Sequence, residues 1–104
     1  MLKRLNAPEF KEKLDTGKFI LLDTRTAQEQ MIFWVISESQ EHIDVYKQEA
    51  LDAIKKLPKE GKYLIYCYHG NRSRQVGDIM TQLGFDEVYD LIWWIEEWKK
   101  LMHS

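Results

Sequence analysis

The sequence predicts an α/β fold, a mostly parallel central sheet with helices on both faces. Two observations carry this. Short, nearly continuous apolar runs, "FILLD" at 19–23 and "YLIYC" at 63–67, read as strands buried on both faces. Longer stretches with helix start and stop signals lie between them, and this alternation is the rhythm of βαβ units.

"APEFKEKL" at 7–14 opens as a helix, with Pro8 near its start, where a missing backbone N–H costs nothing. "FILLD" follows Gly-Lys and is left at polar residues. "QEHID" at 40–44 is a candidate short strand, in which Glu41 and Ile43 would share one face and His42 the other. "YKQEALDAIKKL" at 46–57 reads as a helix stopped by Pro58. "YLIYC" is again entered after Gly-Lys, and "SRQVGDIMTQL" at 73–83 is a helix stopped by Gly84. "EVYDL" at 87–91 is a weaker strand. In open sheets of this kind, sites form in loops at the carboxyl ends of strands, and Cys67 ends the most apolar one.

With 104 residues the chain fits one domain, near the lower limit for a core without metals or disulfides. A net charge of −2 gives no broad electrostatic reason to bind nucleic acid or an anionic membrane. The single cysteine cannot form an internal disulfide, and no Cys/His cluster at ligand spacing suggests a metal, so no metal or cofactor is expected. A reducing, cytoplasmic setting fits a lone thiol, and the first residues show neither a signal peptide nor a membrane span.

The stretch "CYHGNRS" is the chemical focus. If it wraps from a strand end into a helix beginning near Ser73, its backbone N–H groups converge on one point, an anion-binding nest reinforced by the helix N-terminus. A thiol there favours its thiolate. Gly70 permits backbone conformations closed to other residues, and Arg72 offers a permanent charge with fork geometry. Cys67 is on this evidence a nucleophile or a small core residue.

"LLDTRT", "YLIYCYHGNRSRQVGDIMTQLGFDEVYDL" and "IEEWKK" together resemble the single-domain rhodanese family of thiosulfate or persulfide sulfurtransferases. The resemblance is loose over 1–26 and close over 60–101. It implies that Cys67 takes sulfane sulfur as a persulfide. Tyr68, His69, Gly70, Asn71, Arg72 and Ser73 would hold that sulfur through backbone amides, with Arg72 binding thiosulfate or assisting the loop. Asp23 and Arg25 match the family's D-x-R and are expected to tie a strand end to neighbouring loops. Phosphatases that resemble this fold carry C-x5-R, whereas Cys67 and Arg72 give the shorter C-x4-R, which implies sulfur rather than phosphoryl chemistry.

The chain departs from the family's pattern in two places. Where G-H-I-x-G-A usually follows, it reads "MIFWVISESQEH", and where L-x-G-G usually stands it has Trp93 and Trp94. Each tryptophan buries roughly 150–250 Å², so Trp34, Trp93 and Trp94 with Met31, Ile32 and Phe33 exceed what small residues released. Such apolar area either lines a pocket or forms a binding surface. A rebuilt, engineered rhodanese scaffold accounts for changes clustered at one opening; a divergent natural member whose aromatics fill one another's space is the alternative. Glu41 is expected to be exposed, paired, or held as a base. Three readings follow: sulfur transfer on a small sulfur compound; hydrolysis at an engineered small-ligand site by Cys67 with His42 or His69 as base; or no catalysis at all, the aromatics forming a surface for a protein partner or a homodimer. Trp98 matches the family and is expected in the core.

Overall fold

A computed structural model of the chain describes residues 2–32, 35–37, 39–68, 70–92, 98 and 100, without the side chain of Ile32. Phe33, Trp34, His69, Trp93 and Trp94, all expected around the cysteine site, lie outside the described residues.

The chain folds as α/β. Five described strands form one sheet: β1 (Lys3–Leu5), β2 (Ile20–Asp23), β3 (Glu41–His42), β4 (Lys62–Tyr66) and β5 (Glu87–Leu91). Their order is β1-β5-β4-β2-β3, and every pair is parallel. The helices are α1 (Ala7–Asp15), α2 (Ala27–Ile32), α3 (Ala50–Lys55) and α4 (Asn71–Gln82).

Register and alternation divide the core into two layers. Leu22, Tyr63, Ile65 and Val88 cluster with Ala50 and Ile54 of α3 and Val76 and Met80 of α4 on one face. On the other, Leu5, Leu21, Leu64, Tyr66 and Leu91 cluster with Ala7 and Phe10 of α1 and with Trp98. The apolar runs read from sequence are therefore covered on both sides, as parallel strands require. Trp98 is buried as expected, its ring edge-on to Phe10 with centroids 5.7 Å apart.

Three boundaries differ from expectation. The helix expected over 46–57 spans only Ala50–Lys55. Asp44 accepts the Tyr46 N–H on its side chain at 3.0 Å, and the bonds from Lys47 N to Asp44 O and from Ala50 N to Lys47 O make successive turns instead. The helix expected from Ser73 starts at Asn71, because Gly70 takes a left-handed conformation (φ 86°) and turns the chain two residues earlier. The third strand is shorter than expected, a two-residue edge strand, but its alternation holds: Glu41 pairs with Leu22, in whose cluster Ile43 is buried, and His42 pairs with Asp23 on the other face. Among the described residues no helix is long and apolar enough to cross a membrane.

Candidate active site

β4 delivers Cys67 just past its last residue, and α4 begins four residues later. The apolar sequence of β4 buries the strand on both faces, so the thiol emerges at the sheet's carboxyl edge, 1% exposed. Gly70 then reverses the chain. A Cβ at Gly70 would lie 2.6 Å from the Ile92 carbonyl oxygen, so both the left-handed backbone and the close approach require glycine.

The turn directs backbone donors at sulfur. Gly70 N–H reaches Cys67 Sγ at 3.0 Å and Ser73 N–H at 3.4 Å, the latter from the first turn of α4. Cys67 Sγ also lies 3.6 Å from Ser73 Oγ. A negative charge on Sγ is the species that such donors stabilise best.

Behind this loop stands a charged pair that the sequence reading did not identify. Arg4 of β1 and Asp90 of β5 are direct register partners. Arg4 Nε donates to Asp90 Oδ1 at 3.0 Å and Nη2 to Oδ2 at 2.9 Å. The same Nη2 donates to Gly70 O at 2.7 Å, and Ser73 Oγ donates to Asp90 Oδ2 at 2.9 Å. The bond to Asp90 is the main reason the Arg4 guanidinium is raised above its ordinary value, against the opposing effect of burial. A charged residue inside the apolar run "EVYDL" was the available signal.

Arg72 does not point freely into the loop. Its Nη2 donates to Glu29 Oε2 at 2.7 Å and its Nη1 to Oε1, a two-pronged ion pair that joins α4 to α2. Glu29 is itself fixed by a capping box, with Thr26 N–H donating to Oε1 at 3.0 Å and Glu29 N–H donating to Thr26 Oγ1 at 3.1 Å. The Arg72 bonds hold the Glu29 carboxyl down at about 2, with burial opposing. The Tyr46 ring covers the guanidinium at 5.3 Å from its centroid.

Asp23 and Arg25 form a second network at the same end of the sheet, on the opposite face. Both are fully buried. Arg25 Nε donates to Asp23 Oδ1 at 3.0 Å and Nη2 to Oδ2 at 2.9 Å, and Gln30 Nε2 donates to Oδ2 at 2.9 Å. Burial pushes the Asp23 carboxyl up, but the bonds from Arg25 and Gln30 outweigh it and leave it below its ordinary value. The Tyr66 hydroxyl lies 2.6 Å from Gln40 Oε1 and accepts Ile36 N–H at 3.2 Å. Burial, aided by the Asp23 charge, raises the Tyr66 hydroxyl well above its usual range.

His42 belongs to this second network. Its Nε2 lies 2.6 Å from Arg25 O, and since a carbonyl only accepts, the ring donates there. Nε2 is thereby committed and is not the base that the sequence reading considered beside Cys67. Exposed Glu41 needs no partner to offset burial. Met31, on α2, is 87% exposed. No described group of His, Cys, Asp or Glu side chains is arranged to hold a metal ion.

Residues 6–101 match the family model of the rhodanese-like domain. Thiosulfate sulfurtransferase GlpE of Coxiella burnetii is 32% identical over 98 residues, covering 94% of this chain and 85% of that protein. Among solved structures, a rhodanese-related protein from Thermoplasma volcanium superposes with a TM-score of 0.79 at 25% identity, over 95% of this chain and 92% of that one. A polysulfide-sulfur transferase homodimer from Wolinella succinogenes shares the fold, with a TM-score of 0.77 at 19% identity, over 97% of this chain and 75% of that one. On the family match and the homology to a thiosulfate sulfurtransferase, the chain belongs to the family of rhodanese-like domains.

Proposed function

We propose that this chain transfers sulfane sulfur through a persulfide on Cys67. The observation that carries this reading is the convergence of Gly70 N–H and Ser73 N–H on Cys67 Sγ at the start of α4. In the first step the Cys67 thiolate attacks the outer sulfur of thiosulfate. The donor's S–S bond breaks, its electron pair leaves with sulfite, and Cys67 carries the terminal sulfur. A thiophilic acceptor such as cyanide then attacks that sulfur, and the electrons of the persulfide bond return to Cys67. The loop amides stabilise the anionic sulfur at both stages.

Arg72 in this reading sets the shape of the loop, because Glu29 already occupies its fork. The free thiol suits a reducing, cytoplasmic compartment.

Incubation with thiosulfate should add the mass of one sulfur atom to the intact chain, and cyanide should remove it with formation of thiocyanate. Cys67→Ala should show neither. An unmodified chain that gains no sulfur from thiosulfate, or a Cys67→Ala chain that gains as much, would overturn the assignment.

A further inference from the structure

Asp90 places a fully buried carboxylate one hydrogen bond from Ser73, whose own N–H reaches the reactive sulfur. Taken alone this is unfavourable for the proposed chemistry, since thiosulfate and the persulfide are both anionic and a nearby like charge opposes them. Arg4 changes the balance. Its guanidinium forks onto both carboxylate oxygens, and its Nη2 also fastens Gly70 O, so one side chain touches the anion and the loop together. Arg4 thus reaches the cysteine loop directly, whereas the other nearby guanidinium, that of Arg72, is already paired with Glu29.

We propose that Arg4 and Asp90 are positioning residues for Cys67, in which Arg4 screens the Asp90 charge from the anionic sulfur while the pair fixes Gly70 and Ser73 as its donors. This rests on the sulfur-transfer reading above. It assigns opposite signs to the two partners. Arg4 favours sulfur uptake through its charge, whereas Asp90 helps orient Ser73 but, left without Arg4, opposes uptake. A pair that merely held β1 to β5 would have no such asymmetry.

The test compares the rate of persulfide formation from thiosulfate, followed by intact mass, in the unmodified chain, Arg4→Gln, Arg4→Lys, Asp90→Asn and the double variant. Arg4 is 29% exposed at its side chain, and Asn is the same size as Asp, so these substitutions disturb packing little. Thermal unfolding of each variant separates loss of fold from loss of rate.

Arg4→Gln should slow uptake about tenfold, within the coupling range of neighbouring charges. Adding Asp90→Asn to it should restore the rate to within about threefold of the unmodified chain, since the bare carboxylate is then gone. Arg4→Lys should keep most of the rate by retaining the charge. An Arg4→Gln rate equal to that of an active unmodified chain would overturn the proposal, as would a double variant no faster than Arg4→Gln. If the unmodified chain takes up no sulfur, the sulfur-transfer reading falls and this proposal falls with it. An active unmodified chain with either of the first two results overturns this proposal alone.

Discussion

Gly70 is the residue on which the loop's geometry turns. Its φ of 86° lies in the left-handed region, and an added Cβ would meet the Ile92 carbonyl oxygen at 2.6 Å, backbone that cannot swing aside as a side chain could. Gly70→Ala should therefore cost about 1–3 kcal/mol of stability by chemical denaturation. It should also slow persulfide formation by at least about tenfold, because the Gly70 N–H leaves its 3.0 Å contact with Sγ. Uptake at the unmodified rate would show that this amide does not serve the sulfur. Cys67 and its loop were legible in the sequence because a lone cysteine at a strand end, with Gly70 and Arg72 at fixed spacing, is a local signal. Arg4 and Asp90 were not, for they meet across 86 positions of chain, and only the β1–β5 register brings them side by side.

At the level of elements, the ion pair of Glu29 with Arg72 fastens α2 to α4 and so closes one side of the loop. Its pH dependence has a definite sign. The folded Glu29 carboxyl sits at about 2 against an ordinary value of 4.5, so its contribution to stability is fully present above about 4.5 and is lost as the pH falls from there toward 2. Glu29→Gln should lower stability by about 1 kcal/mol at neutral pH, where the partly exposed pair is screened by solvent. It should also flatten the fall in stability between those two pH values, measured by denaturant titration at a series of pH. An equal slope in both proteins would show that the pair adds nothing to folding. Elements were legible where apolar runs were long, as in β2 and β4. β1 escaped because three residues reading "KRL" carry too little pattern, and α3 was overdrawn because Asp44 diverts the preceding backbone into turns that hydropathy does not encode.

The molecule as a whole is a parallel sheet with a polar network on each face at its carboxyl edge, one around Cys67 and one around Asp23. The layers beneath them are what hold these networks in register. The layer under Cys67 draws on α3 and α4, whereas the opposite layer draws on α1 and a single described tryptophan near the chain's end. α1 and Trp98 thus do together for their face what α3 and α4 do for the other. Trp98 is 3% exposed, meets Phe10 edge-on at 85°, and covers the side of the sheet from which Leu91 and Tyr66 project. Trp98→Ala should cost about 3–5 kcal/mol, combining lost burial with the cavity left behind. For a domain stable by roughly 5–15 kcal/mol, that is a large share. Phe10→Leu combined with Trp98→Ala should lose less than the sum of the two single changes, by about 0.5–1.5 kcal/mol, because the ring pair is broken only once. Guanidinium denaturation of the four proteins measures this cycle. Strict additivity would mean that α1 and Trp98 cover the sheet independently, and that the second layer lacks the direct coupling which their ring contact implies.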